Sequence, residues 1–415
     1  MLSRRVLTRA LGVEAAVVRL DAVEAVDGEL LLWLRPRVRH RWRCPHCGLR
    51  RPGYDAGRVR RWRTLDFGRS KGFVCARVPR VACPEHGVVM AAVPWARHAA
   101  RHTRAFEDLA AWCAVEMSGS AASRLLRCSW RTIGAIVARV AADRRAGADD
   151  LDGLRRIGID EISYRRHHRY LLVVVDHDRR RLVHAVDGAN KTTLGAFFDL
   201  LGPARAARLT HVSADGAPWL SEVVTRRAPQ AILCGDPFHV VRWAMEALDE
   251  VRRQTWNEVR RRGRRGRPAT GEGKRLKDSR WALWKNPDSL TERERARLDY
   301  LAATHPRLHR AWALKEGLRC VFTHRGEPAV AALKDWLRWA QRCQLPAFVR
   351  LAQRVRGFWD PIIATLHHGL TNALVESINT KIRLIARRAF GFHNVQALIA
   401  LAQLSLGGNR PQLPT

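Results

Sequence analysis

The chain has 415 residues, 47% of them hydrophobic, and carries 74 Lys+Arg against 39 Asp+Glu for a formal net charge of +35. That length and apolar content exclude a disordered chain and fit two or three domains with sizeable cores. The charge calls for a polyanionic partner, DNA or RNA first and an anionic membrane surface second, while no apolar run is long enough to cross a bilayer.

The first segment, "MLSRRVLTRALG", is Arg-rich and amphipathic, but no small-residue cleavage site follows it, so a targeting peptide is not expected. "VVRLDAVEAVDGELLLWLRPR" then reads as a strand hairpin turning at Asp27-Gly28. Nine Cys, an odd count without a signal peptide, argue against a secreted disulfide scaffold and for a reducing cytosol. "RCPHCGLR" places Cys44 and Cys47 in one tight turn, and "ACPEHG" repeats the spacing with Cys83 and His86. Two such knuckles aim four soft or borderline ligands at one point, which suits tetrahedral zinc; four protein ligands leave no open position, so the site is structural. His46 and Cys75 are the competing ligands.

From about Phe106 to Arg145 the pattern is helical. "SGSAASRLLRCSWRTIGAIVARV" has a helix-turn-helix cadence, in which Ala121, Ala122 and Leu125 pack the first helix and Trp130, Ile133 and Ile136 line the inner face of the second. Arg131, Thr132 and Arg139 would then be exposed for the major groove. A plain helical hairpin reads similarly.

"RIGIDEISY", "YLLVVVDHD" and "RLVHAVDG" read as three strands in quick succession, followed by a helix over 192–201, the strand "LTHVSADG", a helix over 219–227 and the strand "QAILCGD". Asp160 lies mid-strand beside Ile157 and Ile159, an expensive place for a charge unless it is used or paired, and Glu161 faces the opposite side. Asp215 ends its strand before a glycine, where open α/β sheets gather chemistry, although a helix N-cap is an equally ordinary use. Asp236 closes the next strand, with His239 three residues on. Long helical stretches follow to about Gly357, interrupted by a basic loop over 260–274. Of fifteen Trp, eight lie between Trp243 and Trp359 and are expected mostly in the core of these helices, with one or two free to stack on bases. The pairs His167/His168 and His367/His368 are expected at the surface or facing DNA. In "LTNALVESINTKIRLIARRAFGF", Leu374, Ile378, Ile382 and Ile385 form an apolar stripe, Gly391 sits at the expected C-cap, and Glu376 is the one acid beside Lys381, Arg383, Arg387 and Arg388.

A three-strand meander with an acid on its first strand, an acid at the tip of the fourth and a glutamate on a late helix is the layout of an RNase H-like core. The chain resembles the DDE transposases and, more narrowly, the ISL-three family of bacterial insertion-sequence transposases. The resemblance spans nearly the whole chain and is carried by "CPHCG", "CPEHG", "GIDEISYRR", "VSADGAPW", "GDPFHVVRWAMEALDEVRR" and "TNALVESINTKIRLIARRAFGF".

The resemblance implies an α/β multidomain protein: a zinc-ribbon-like β-rich module at 1–100, a helix-turn-helix region at 101–150, and an RNase H-like mixed-sheet core beginning at 151–239. An all-helical insertion at 240–357 and a C-terminal part of the core at 358–415 complete it. It makes Asp160, Asp215 and Glu376 the catalytic triad, with Asp236 and His239 an auxiliary pair; Asp236 competes with Asp215 for the place of second aspartate. Such a triad holds two Mg²⁺ ions (or Mn²⁺), roughly 3.5–4 Å apart, which serve the attacking and leaving oxygens of a phosphodiester. Lys381, Arg383, Arg387 and Arg388 would bind phosphate. The function implied is binding of the element's terminal inverted repeats, strand cleavage and strand transfer, by at least a dimer on double-stranded DNA, in the bacterial cytoplasm at the nucleoid and with no membrane partner. A non-catalytic DNA-binding regulator and a nuclease of the same fold without strand transfer are the rival readings.

Overall fold

The computed structural model describes residues 11–14, 16–147, 149–165, 169–262 and 271–413. Most of the Arg-rich start, the pair His167/His168 and the middle of the basic loop (263–270) lie outside the described residues. The chain forms two compact units, Met1–Asp150 together with Ile382–Thr415, and Leu151–Lys381.

In the first unit β1 (Val18–Val26) and β2 (Glu29–Pro36) form the expected hairpin. Asp27 and Gly28 both take positive φ, as a tight two-residue turn with the right twist requires. β3 (Gly53–Arg63), β4 (Lys71–Cys83) and β5 (Gly87–Met90) complete a sheet of order β1-β2-β4-β3, with β5 also on β4. Leu32, Trp62, Val74, Val81 and Trp95 fill its core, and Cys44 and Cys83 are buried in the same cluster.

Helices α1 (Arg104–Glu116), α2 (Gly119–Leu126) and α3 (Trp130–Ala146) follow, and Thr103, Ser118 and Ser129 each cap one by accepting an N–H three residues on. α2 and α3 make the helix-turn-helix, turning through Arg127 in the left-handed region. Its packing differs from the expectation in detail. Ala122 and Leu126 are buried on α2 while Leu125 is exposed; on α3 Ile133 and Ile136 are buried while Trp130 is 57% exposed. The inner face of α3 runs instead through Ile133, Ile136, Val137, Val140 and Ala141, and Trp130 is the helix's first residue, ahead of that face.

Arg131 is exposed, but Thr132 is half-buried and shares a hydrogen bond with the capping Ser129 hydroxyl at 2.9 Å. Arg139 is half-buried against Glu107 rather than free for DNA. The reason lies in Glu107, which is 0% exposed and needs compensating charge. Arg97, itself buried, donates to Glu107 at 3.2 Å, to Asp108 at 2.8 Å and to Asp143 at 2.8 Å, so one guanidinium ties α1 to α3. Arg97→Met is expected to destabilise the first unit by about 3–5 kcal/mol, because it removes one of the two guanidinium partners of buried Glu107 together with the ties to Asp108 and Asp143. Urea unfolding followed by far-UV circular dichroism measures this, and a loss well under that range would mean that Arg139 alone satisfies Glu107.

The second unit holds a five-stranded sheet of order β10-β9-β6-β7-β8. β6 (Arg156–Arg165), β7 (Arg169–Asp176) and β8 (Arg181–Asp187) are an antiparallel meander; β9 (His211–Ala214) lies parallel to β6, and β10 (Ile232–Gly235) parallel to β9. α4 (Lys191–Leu201), the short α5 (Pro203–Ala206) and α6 (Pro218–Arg227) pack on one face around Ile157, Ile159, Phe197 and Val223. Between β10 and the last two helices the described residues form α7 (Pro237–Arg262), α8 (Glu272–Asp278), α9 (Arg280–Trp284), α10 (Glu292–Thr304), α11 (Pro306–Val321), α12 (Gly326–Arg342), α13 (Pro346–Gly357) and α14 (Trp359–His368). They share a core that includes Leu248, Leu314, Leu333, Trp336 and Phe348, while Trp281 stays exposed.

α15 (Ala373–Arg388) begins in the second unit, and its last turns, with α16 (Val395–Leu406), belong to the first, where α16 packs on α1 and α3. The stretch 358–415, read from sequence as one piece, is therefore divided at residue 381. The buried stripe of α15 is Val375, Ile378, Ile382 and Ile385, with Leu374 only half-buried. Arg388, expected on DNA, instead donates to the carbonyls of Ala114 and Val115, which the end of α1 leaves without helical partners. Phe390 takes the left-handed position after the helix, one residue before Gly391, whose N–H closes back on the Ala386 carbonyl at 2.9 Å.

Candidate active site and metal centre

In the first unit the sulfur and ring-nitrogen atoms of Cys44, Cys47, Cys83 and His86 all lie within 4.8 Å of one another. Cys47 and Cys83 sulfurs are 3.8 Å apart, Cys44 Sγ is 3.8 Å from His86 Nδ1, and Cys83 Sγ is 3.4 Å from the same nitrogen. Thiolates about 2.3 Å from a tetrahedral zinc would sit roughly 3.8 Å apart, so the donor set and its spacing fit the ion. The backbone N–H of Leu49, followed by the Arg51 guanidinium, holds the Cys47 thiol below its ordinary range, which favours the ligating thiolate. Both competitors stand aside: Cys75 is buried within β4 and absent from this group, and His46 stacks on the His86 ring at 4.9 Å.

In the second unit, pairing of β6 with β9 sets Ile159 beside Ala214, and pairing of β9 with β10 sets Ala214 beside Gly235. Asp160, Asp215 and Asp236 each follow one of these residues, so three acids gather where the parallel strands end. The Asp215 carboxylate accepts from the Ala217 N–H at 3.2 Å. Asp236, buried, accepts from His239 Nδ1 at 3.0 Å, while His239 Nε2 lies 3.7 Å from Asp215. The hydrogen bond to Asp236 raises the His239 pKa, with Asp215 adding to the effect and burial opposing it.

Asp160 accepts from the Glu161 N–H at 2.8 Å through Oδ1 and from Asn379 Nδ2 at 2.8 Å through Oδ2. Burial pushes Asp160 up to about 6; Asp215 and Asp236 add to the shift, and the Glu161 N–H and His239 oppose it. Burial likewise lifts Glu161 to about 7, with Asp215 and Asp160 contributing. Hard carboxylate oxygens crowded so that their charges oppose one another suit a divalent cation. Among the described residues, however, only the Cys₃His group brings three or more such ligand atoms as close together as 4.8 Å. The acids form a wider set.

Glu376 lies in the first turn of α15, half-buried, with its N–H on the Asn372 carbonyl. Asn372 is buried and anchors this helix end. Its Oδ1 accepts from the Ser213 hydroxyl at 2.6 Å, and its Nδ2 reaches the Ile159 carbonyl at 3.4 Å. The Ser213 hydroxyl spends its one hydrogen on Asn372, so in the 2.8 Å bond with His177 it accepts and Nε2 donates. Burial holds His177 down to about 4, in its neutral form. Gly158 permits the close approach: a Cβ there would meet Val375 at 2.4 Å and His177 at 2.7 Å.

Sequence reasoning missed the bonds of Asn372 and Asn379 to β9 and β6, and with them Ser213, His177 and the coupling of Glu161. The apolar neighbours of Ser213 gave no polar signal. Lys381, Arg383 and Arg387 are exposed.

Residues 157–402 match the family model described as Transposase. Residues 91–141 match that for the helix-turn-helix domain of transposase family ISL3, and residues 40–86 that for the zinc-finger of transposase IS204/IS1001/IS1096/IS1165. The chain is 54% identical over 413 residues to the transposase for insertion sequence element IS1557 of Mycobacterium tuberculosis (strain H37Rv), covering 96% of this chain and 93% of the relative. It is 29% identical over 402 residues to the transposase for insertion sequence element IS1001 of Bordetella parapertussis, covering 95% of each. With family models spanning all three regions and a relative this similar over nearly its whole length, the chain belongs to the ISL3 family of transposases.

Proposed function

We propose that the chain is a DDE transposase whose RNase H-like core, made of β6 to β10 and the start of α15, cuts the ends of its own element and joins them to target DNA. Asp160, Asp215 and Glu376 are the triad that holds two Mg²⁺ or Mn²⁺ ions. When bound, such ions activate the attacking oxygen and stabilise the leaving oxygen of the phosphodiester. The observation that carries this reading is the strand arrangement: Asp160 and Asp215 stand at adjoining positions on neighbouring parallel strands, and the helix bearing Glu376 is pinned to both strands by Asn372. Asp236 and His239 are auxiliary, since His239 donates to Asp236 and braces Asp215. Helices α7 to α14 are an insertion into this core.

The zinc module and the helix-turn-helix recognise the inverted repeats, with Arg131 and Thr132 at the start of α3 facing the groove, and with Lys381, Arg383 and Arg387 on phosphates. The Cys₃His group holds one structural zinc. The working form is at least a dimer on DNA, in the bacterial cytoplasm at the nucleoid. No described helix is long and apolar enough to cross a membrane.

Full-length protein with a labelled element end and Mg²⁺ tests the reading. Cleavage at the element boundary, followed by joining to a second duplex, is expected; cutting without joining would leave a nuclease, and binding alone a regulator. Binding to the end should weaken roughly 10³-fold or more between about 50 and 200 mM salt, as release of counterions from six or more phosphates requires. Salt-insensitive binding would contradict the assigned basic contacts.

A further inference from the structure

We propose that Asn379 is a positioning residue that fixes the Asp160 carboxylate for cation binding, a role distinct from the structural anchoring done by Asn372. The inference rests on the reading of Asp160 as a triad member. Asn379 stands one turn beyond Glu376 on α15 and is 2% exposed. Its Nδ2 donates to Asp160 Oδ2 at 2.8 Å, and its Oδ1 is buried with no hydrogen-bond partner. A carboxylate only accepts, so the amide face turned toward Asp160 is fixed as Nδ2, and Oδ1 cannot be satisfied by reversing the group.

Stability does not by itself call for an amide here: the unsatisfied Oδ1 opposes folding, which offsets what the bond to Asp160 contributes. Asn372 is the contrast: its Oδ1 and Nδ2 are both engaged, on Ser213 and on the Ile159 carbonyl, and neither bond goes to a carboxylate. The bond from Asn379 does restrict Asp160. With Oδ1 of Asp160 on the Glu161 N–H and Oδ2 on Asn379, the carboxylate plane is held from two sides, leaving its remaining lone pairs directed away from both donors. Outer partners that orient a ligating carboxylate in this way typically govern metal affinity and activity together.

The test compares Asn379→Leu, Asn372→Ala and Asp160→Asn in the full-length protein. Three quantities are measured: the thermal unfolding midpoint without added divalent ion, Mn²⁺ binding by electron paramagnetic resonance, and cleavage of a labelled end across a Mn²⁺ titration. Mn²⁺ reports on the oxygen site, because the Cys₃His group prefers softer ions. Asn379→Leu is expected to shift the midpoint little, since removal of the unpartnered Oδ1 offsets loss of the donor to Asp160, to bind Mn²⁺ roughly 10–100-fold more weakly, and to regain part of its cleavage at saturating Mn²⁺. Asn372→Ala is expected to lower the midpoint while its folded fraction binds Mn²⁺ as wild type does.

Wild-type Mn²⁺ affinity in Asn379→Leu, beside its loss in Asp160→Asn, would overturn the inference. So would parallel losses of midpoint and Mn²⁺ affinity in both asparagine variants, which would make both merely structural. Wild-type Mn²⁺ binding and cutting by Asp160→Asn would instead overturn the reading beneath it. Should Asn379→Leu not fold, Asn379→Ser, which is smaller and still polar, is judged by the same comparison.

Discussion

Glu376→Gln is expected to leave the protein folded and bound to element ends while strand cleavage in Mg²⁺ falls by on the order of 10³-fold or more. The substitution preserves size and hydrogen-bonding capacity and removes one negative charge from the set proposed to hold the ions. The fold should survive because the buried face of α15, Val375, Ile378, Ile382 and Ile385, is untouched, and because Asn372 still pins the helix start to β9 and β6. End binding should survive because it is assigned to the zinc module, the helix-turn-helix and exposed arginines. Asp160→Asn and Asp215→Asn should behave alike, and pairs of these substitutions should add little, since residues acting as one unit are far from additive.

Asp236→Asn is the informative comparison. Asp236 is buried and engaged with His239, while His239 also faces Asp215, so its loss should act through the placement of Asp215 and cost less than loss of a triad member. Cleavage of a labelled end by the four variants, matched for folding and binding, decides the matter. Near-wild-type cutting by Glu376→Gln would reduce α15 to a structural helix. An inactive Asp236→Asn beside an active Asp215→Asn would move the second aspartate one strand along the sheet.

The second large effect is expected at the knuckles. Purified protein should carry about one tightly held zinc per chain, and Cys44→Ser should lose it. Cys44 is fully buried within the cluster that contains Trp62, Val81 and Trp95, so the metal and the apolar core of the first unit are one structure. Structural zinc sites in small modules contribute apparent binding free energies of about 10–16 kcal/mol, most of which appears as folding free energy. Cys44→Ser, or removal of zinc by a strong chelator, should therefore unfold the sheet of β1 to β5, make its arginine-rich β3 accessible to trypsin, and abolish end binding. Helices α7 to α14, with a core of their own, should keep their melting transition. Elemental analysis, limited trypsin digestion and a two-transition thermal scan check these outcomes. Metal-free protein that resists trypsin and binds ends normally would show that the four side chains hold no structural ion.

Several features of this protein were fixed by local chemistry and could be read directly. The two knuckles were legible because short turns with glycine leave few alternatives for paired thiolates, and the hairpin at Asp27-Gly28 because only such residues tolerate its dihedrals. The strands and helices of the second unit followed from periodicity, and Asp160 was noticeable as a charge within an apolar strand. The family resemblance added the pairing of that acid with Asp215 and Glu376, which no local pattern implies. Tertiary structure alone decided which charges are free. Arg139 and Arg388 look like Arg131 and Arg383 in the sequence, yet one compensates buried Glu107 and the other closes the end of α1. It also decided that Asn379 turns to Asp160 and Asn372 to Ser213, partners more than 150 residues away in each case. Hydrogen bonds across such separations depend on the register between a helix and a sheet, and that register is set by packing, as where Gly158 admits Val375, rather than by any preference of the residues themselves.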